Sequence, residues 1–216
     1  MGLCKIITWA ILGPILLYAV LLGYVLSYHF LSAPPSLALD PLPKDLKEAT
    51  LKLRKPLIAA HLDAFAGKNA ASYLDKYVTE DATFEDPMQF WAGKSALSPA
   101  FAAFGPLILE NRYDIRGEHH APNQIVLDMT MNMKLDFFGL PVPVSLPMRQ
   151  NLMLEPAAKP GGQEKVFAIW EDWGSNPLLT EKTATVKQVG AAHKAVRNGF
   201  GAMGLELFKL VLGKKD

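Results

Sequence analysis

The stretch QIVLDMTMNMKLDF, residues 124–137, indicates the fold class of this chain. Every odd position from 125 to 137 carries an apolar side chain, and most even positions carry a polar one. A period of two over this length is typical of a long antiparallel strand with one buried face and one wetter face. The sequence therefore predicts a sheet of long antiparallel strands.

Further strands are predicted on both sides of this stretch. Residues 109–116 alternate between apolar and polar side chains, and Pro122-Asn123 and Gly139-Leu140-Pro141 mark turns. One face of the strand after the second turn is lined by Leu146, Met148, Leu152 and Leu154. Residues 166–173 are apolar on both faces, which predicts a central strand that is covered on both sides. His119 and His120 are adjacent and are predicted to lie in a loop.

Helical spacing precedes the strands. The pattern over residues 46–65 predicts a helix with a break or kink at Pro56, or a second helix that begins there. Gly67 is expected to end this region, and Asn69 to cap a short helix that ends at Tyr77. A strand should stop or bulge at Pro87, because proline cannot donate to a β-ladder. An apolar helix is predicted near residues 95–104.

Composition limits the class of protein. The chain has 216 residues, a formal net charge of +1 and one cysteine. The near-neutral charge argues against a general nucleic-acid binder, and a single cysteine excludes an intramolecular disulfide framework or a multi-cysteine metal site. No cofactor is predicted. The sequence does not determine the oligomeric state.

Residues 6–31 contain no Asp, Glu, Lys or Arg and predict a single membrane-spanning helix. A cleaved signal peptide is the alternative, but its apolar core would be shorter, about 7–15 residues. More lysine and arginine follows this stretch than precedes it, with Lys44, Lys47, Lys52, Arg54 and Lys55 on the C-terminal side. The positive-inside rule then places the following domain in the cytosol.

Four segments follow from these patterns. They are an anchor over residues 1–31, a proline-rich linker over 32–43, a domain over 44–178 and an amphipathic helical tail over 179–216. The tail has a basic excess. Either it lies on the membrane surface, or it packs on the domain.

The order of elements and several short motifs resemble the NTF2-like superfamily in its SnoaL-like branch. The motifs are Tyr77-Val78-Thr79-Glu80-Asp81-Ala82-Thr83-Phe84-Glu85-Asp86-Pro87, then Gly93, and Ile169-Trp170-Glu171-Asp172-Trp173. The match is most similar to fungal, membrane-anchored members. The resemblance implies an α+β cone in which N-terminal helices pack on a curved antiparallel sheet, here preceded by a transmembrane helix. A shared fold does not transfer a function.

Enzymes of this superfamily place an acid or a base inside the cone. The candidate catalytic groups here are Asp86, Glu171 and Asp172, followed by Tyr73, His61, His119 and His120. Asp86 can instead cap a turn, and a lone histidine in a helix is more often a packed residue. Glu171 and Asp172 are neighbours on a strand, so at most one of them faces the cone, and the other should pair with a surface cation. Arg149 is expected to be solvated.

The predicted ligand-binding residues are mostly apolar. They are Tyr73, Phe84, Trp91, Met129, Met131, Met133, Trp170 and Trp173. The apolar faces of the strands carry no Asp, Glu or His, so an apolar pocket with carboxylates at its mouth is expected. The same methionines could instead fill an ordinary core.

Three hypotheses follow for function. The first is a membrane-tethered protein that binds a small hydrophobic molecule. The second is a cofactor-free isomerase, dehydratase or cyclase that uses Asp86 and either Glu171 or Asp172. The third is a scaffold that binds a protein partner.

Overall fold

The computed structural model describes residues 20, 23, 27, 47–87, 89–137, 139–157, 159, 162–174, 194, 195, 197–199 and 202. Three helices and six strands follow one another in the region from residue 47 to residue 174. They are α1 (Lys47–Phe65), α2 (Ala70–Tyr77), β1 (Val78–Glu85), β2 (Phe90–Ala92), α3 (Lys94–Leu107), β3 (Ile108–Ala121), β4 (Gln124–Phe137), β5 (Leu140–Glu155) and β6 (Lys165–Trp173).

The six strands form one open, curved sheet in the order β2-β1-β6-β5-β4-β3. All neighbouring strands are antiparallel except β1 and β6, which run parallel. The sheet is therefore mixed, whereas an antiparallel sheet was predicted. A parallel pair needs a long crossover connection, and here the segment from β2 to β5 supplies it.

The helices pack on the face of the sheet formed by the odd positions of β4. Helix α2 contacts β1 and β6, helix α3 contacts β1 to β4, and α1 packs on both other helices. Ile125, Leu127 and Met129 are completely buried on this face, which confirms the prediction for residues 124–137. The core thus lies between one layer of helices and the concave face of the sheet.

The predicted break at Pro56 and the alternative of a second helix that begins there are wrong, because α1 continues through this residue. A kink at Pro56 stays a prediction. A proline inside a helix removes one backbone hydrogen bond, which usually destabilises the helix. Leu57 and Ile58, directly after it, are both buried in the core. Their packing holds the helix together at this point. Leu53 lies one turn before Leu57, and helical spacing alone predicts the same apolar face for both, but Leu53 is 36% exposed.

The turn between α1 and α2 differs from the prediction in one detail. Gly67 has a positive φ of 72°, as expected for a residue that ends a helix. Asn69 is the N-cap residue of α2, but its side chain makes no capping hydrogen bond. Its backbone adopts the left-handed conformation, with φ of 53°. Asparagine tolerates that conformation better than most residues, so its role here is conformational.

Two predictions about the strands are also corrected. Phe167 in β6 is 37% exposed, so this central strand is not covered on both sides. His119 and His120 lie within β3 and not in a loop. Nε2 of His120 lies 2.7 Å from Oε1 of Glu118. Strand β3 continues past a shift in its pairing register between Ile115 and Gly117, and it includes both histidines.

The two ends of the chain lie largely outside the described residues. Among the residues that are described, no helix is long and apolar enough to cross a membrane. The predicted anchor, residues 6–31, lies outside them except for residues 20, 23 and 27, and most of the predicted tail also lies outside. Arg197 is described and is buried, with Nη1 placed 2.5 Å from Oε1 of Glu85. At this residue the tail packs on the domain, which is one of the two predicted alternatives.

Candidate functional site

A cavity of about 530 Å³ opens between the helices and the concave face of the sheet. Its described lining comes from the end of α1, from β1 and the turn after it, from the end of α3, and from β3 to β6. The lining residues are Phe65, Phe84, Asp86, Gln89, Leu107, Ile108, Met131, Met133, Leu135, Asp136, Val144, Ser145, Leu146, Glu171 and Trp173. Most of these side chains are apolar. The volume lies within the usual range for small-molecule sites, about 300–1,000 Å³.

Glu171 is the buried carboxylate on the wall of this cavity. It lies near the end of β6 and is only 4% exposed. Nε2 of Gln150 donates a 2.7 Å hydrogen bond to its Oε1, and Nε1 of Trp173 donates a 3.0 Å hydrogen bond to its Oε2. Each carboxylate oxygen therefore has one fixed donor within the protein.

Gln150 connects Glu171 to the helices through a chain of buried hydrogen bonds. Nε2 of His61 lies 2.9 Å from Oε1 of Gln150, and Nδ1 of His61 lies 2.8 Å from the hydroxyl of Tyr73. The amide oxygen of Gln150 can only accept, so His61 carries its proton on Nε2 and accepts from Tyr73 on Nδ1. Every donor in the chain thus points towards Glu171, from α2 through α1 and β5 to β6.

Burial shifts the ionisation of these groups away from their charged forms. It lowers the pKa of His61 from 6.5 to about 4, although the hydrogen bond with Gln150 acts in the opposite direction. It also raises the pKa of the Tyr73 hydroxyl above its usual range. The pKa of Glu171 is raised by burial, against the hydrogen bonds from Trp173 and Gln150, which favour the carboxylate. His61 is therefore a neutral link at neutral pH.

Asp86 also lines the cavity, and it caps a turn. The backbone N–H of Gln89 donates a 2.6 Å hydrogen bond to Oδ1 of Asp86, and the N–H of Asp86 donates to the carbonyl oxygen of Gln89. This turn follows the end of β1 at Glu85, where Pro87 was expected to stop the strand. Asp86 therefore caps the turn, as one of the two predicted alternatives had it. The carboxylate of Asp86 is also part of the cavity lining.

Asp172 lies on the opposite side of β6 from Glu171, as strand alternation requires. It was expected to pair with a surface cation, but it is only 6% exposed and accepts a 2.9 Å hydrogen bond from Nδ2 of Asn151. Arg149, which was expected to be solvated, is also buried, with Nη2 placed 3.8 Å from Oδ2 of Asp128. The outer face of the sheet thus carries its own buried polar residues, which the period-two pattern does not distinguish from solvated ones.

The structure brings some of the predicted ligand-binding residues together and separates others. Phe84, Met131, Met133 and Trp173 line the cavity. Tyr73, Trp91 and Met129 are buried in the core, and Trp170 is half-buried, but none of these four is part of the described lining. Met129 therefore fills the core, which was the alternative predicted for the methionines. Met131 and Met133 instead lie at the cavity wall.

Sequence reasoning did not identify the role of Gln150. This residue lies on the same face of β5 as Met148 and Leu152, and all three are completely buried. The signal was present, because an uncharged polar residue interrupts an otherwise apolar face at a period-two position. His61 was judged a packed helical residue, and that is its position, but its two hydrogen-bond partners come from distant parts of the chain. Within the described residues, no three His, Cys, Asp or Glu side chains are grouped in a way that could hold a metal ion.

No protein family and no curated protein matches the sequence. Several solved structures are similar to the structure. An NTF2-like protein from Anabaena variabilis is 18% identical, with 64% of this chain and 97% of that chain covered and a TM-score of 0.47. A protein from Shewanella putrefaciens described as a SnoaL-like polyketide cyclase is 15% identical, with 64% and 93% covered and a TM-score of 0.47. A ketosteroid isomerase-like protein from Erwinia carotovora is 14% identical, with 58% and 97% covered and a TM-score of 0.46.

The order and pairing of the elements define the class of protein. Two helices before the first strand and a third between β2 and β3 cover the concave face of an open, curved sheet, and a cavity opens between the two layers. The chain therefore has an α+β cone of the kind that its motifs predicted. The fungal, membrane-anchored relationship remains a prediction.

Proposed function

We propose that this protein binds a small hydrophobic molecule in the cavity between its helices and its sheet. The observation that carries the proposal is the cavity itself, whose wall is mostly apolar and whose volume is about 530 Å³. Well-packed cores contain few voids larger than a water molecule, so a space of this size is not a packing defect. A filled core would instead have favoured the scaffold hypothesis.

The test is to fill the cavity from one wall. Val144→Trp adds an indole at a half-buried lining position. Phe167→Trp is the matched control, because it adds a similar ring on β6 at an exposed position outside the described lining. We expect native mass spectrometry of the full-length protein, extracted without detergent, to detect a co-purifying lipophilic molecule with the wild type and the control. Equal recovery of that molecule from Val144→Trp would contradict the proposal.

A second candidate function is acid–base catalysis by Glu171. The specific observation is a buried carboxylate in an apolar cavity, with a pKa raised by burial towards the range where it can exchange protons at neutral pH. The reaction class would be an isomerisation, dehydration or cyclisation without a cofactor. Incubation of the extracted molecule with protein in D₂O tests this. Deuterium uptake that Glu171→Gln abolishes supports catalysis, and uptake that survives the substitution removes Glu171 from it.

We further propose that residues 6–31 hold the domain at a membrane, with the domain in the cytosol. The support is the length of this uncharged stretch and the lysine and arginine residues that follow it. Extraction of cell membranes with alkaline carbonate tests the anchor, since a spanning segment keeps the chain in the pellet. Protease treatment of intact and permeabilised organelles tests the orientation. Release of the full-length chain into the carbonate supernatant would contradict the proposed anchor.

A further inference from the structure

Glu171 is a buried carboxylate for which the described part of the chain provides no cation. Its hydrogen bonds come from Gln150 and Trp173, and both donors are neutral. The ion pairs of the described residues do not include Glu171. Buried charges in proteins are normally paired, because an isolated charge in an apolar environment is costly. The described residues therefore leave this carboxylate without a cation, and a ligand that enters the cavity can supply one.

The described part of the lining has three carboxylates, one amide and one hydroxyl, but no basic side chain. Among its described residues, the polar groups belong to Asp86, Gln89, Asp136, Ser145 and Glu171. The nearest described arginine that contacts one of them is Arg197. Its Nη1 bonds the carbonyl oxygen of Asp86 and the carboxylate of Glu85, and it is not in the lining itself. A ligand with a carboxylate or a phosphate would therefore find no basic side chain among the described lining residues.

The buried hydrogen-bond chain keeps Glu171 an acceptor on the protein side. The donors run from Tyr73 to His61, from His61 to Gln150 and from Gln150 to Glu171. With the other oxygen bonded by Trp173, both oxygens accept from the protein, and each still has a lone pair for a donor from the cavity. A group that donates and carries positive charge matches this arrangement best.

Aromatic rings supply the second feature that suits a cation. Phe65, Phe84 and Trp173 all line the cavity beside aliphatic and methionine side chains. The faces of aromatic rings carry partial negative charge and attract ammonium groups. The remaining lining is apolar, which suits the hydrocarbon part of the same molecule.

On the basis of the proposed binding function, we infer that the ligand of this cavity is a lipophilic amine in its protonated form, whose ammonium group pairs with Glu171. The hydrocarbon part lies against the methionine and aliphatic wall. This assignment excludes fatty acids and phosphorylated lipids as ligands of the cavity.

Three probes that share one rigid apolar cage test the inference. They are 1-adamantylamine, 1-adamantanol and adamantane-1-carboxylate, titrated calorimetrically at neutral pH into the purified full-length protein. We expect the amine to bind about tenfold or more tightly than the alcohol, because it adds a charge-assisted hydrogen bond, and we expect no binding of the carboxylate. In Glu171→Gln the amine should lose its advantage while the alcohol still binds. Glu155→Gln, an exposed position at the end of β5, is the matched control and should keep the wild-type ranking.

The outcomes separate this inference from the proposed function. If the alcohol binds as tightly as the amine, the amine assignment is wrong but the proposed binding function is still supported. The same holds if the carboxylate binds most tightly. Failure of all three probes, together with no co-purifying molecule, overturns both. If Glu171→Gln loses the alcohol as well, nuclear Overhauser contacts in the wild type between the cage protons and the indole of Trp173 decide the site. Their absence would overturn the assignment.

Discussion

Nε2 of His61 lies 2.9 Å from Oε1 of Gln150, and this contact joins the first helix to the middle of the sheet inside an apolar core. Both side chains are completely buried. A hydrogen bond in such surroundings is hard to lose, because neither group can turn to water instead. The first two predictions concern this contact.

The stability of the protein should fall as the pH decreases from about 6.5 to about 4, because the pKa of His61 is lowered to about 4 in the fold. In this window the unfolded chain binds a proton that the folded protein does not, so unfolding is favoured; above 6.5 the histidine has no effect. The loss should approach about 3 kcal/mol below pH 4. Urea denaturation at a series of pH values measures it. His119→Gln, at an exposed position, should keep the wild-type profile. A wild-type stability that does not fall between pH 6.5 and pH 4 would contradict the prediction.

Gln150→Leu should destabilise the protein strongly. The substitution preserves an apolar stem but leaves Nε2 of His61 and Oε1 of Glu171 without their partner. Each unsatisfied buried group costs about 1–3 kcal/mol. Thermal and urea unfolding report the loss. Gln163→Leu changes the same residue type at an exposed position and should stay within about 0.5 kcal/mol of the wild type. If the two variants were equally stable, the buried chain of hydrogen bonds through Gln150 would not contribute to the stability of the fold.

Substitution of Arg54 is predicted to destabilise the protein more than substitution of most other residues in α1. It is 1% exposed, forms a two-pronged ion pair with Glu164, and donates to the carbonyl oxygens of Ala121, Pro122 and Gln124. Arg54→Met should therefore lower the free energy of unfolding by about 3–5 kcal/mol, the usual cost of breaking a buried pair. Arg54→Lys should recover little, since lysine cannot form the planar, two-pronged contact.

Lys55→Met is the control for Arg54, because the next residue along the helix is exposed. Its unfolding free energy should differ from the wild type by less than about 0.5 kcal/mol. A comparable loss in both variants would mean that charge in this helix matters more than the buried contacts of Arg54.

Arg197 is expected to hold the tail on the domain. Its guanidinium is buried against Glu85 and the backbone of Asp86. Arg197→Met should increase cleavage by limited proteolysis near the C-terminus and should lower the melting temperature. Arg112→Met is the comparison, since its ion pair with Asp114 is exposed on the sheet and such pairs contribute about 0–1 kcal/mol. Unchanged proteolysis in Arg197→Met would contradict this role.

The period-two pattern of residues 124–137 determined one face of the sheet by itself, because side chains alternate along a strand whatever lies around it. The same rule placed Glu171 and Asp172 on opposite faces of β6. Short-range patterns did less well where packing competes with local preference. Leu57 and Ile58 hold α1 together across Pro56, and Arg149 and Asp172 are buried at positions that alternate like solvated ones.

Only the tertiary structure decided the site. Tyr73, His61, Gln150 and Glu171 lie on four different elements, and only the folded structure brings them into one chain of hydrogen bonds that reaches the cavity. Such contacts depend on how helices and strands pack together over their whole length, and local sequence spacing contains no information on that. The sequence by itself determined which residues face inwards; the fold decided which of them meet.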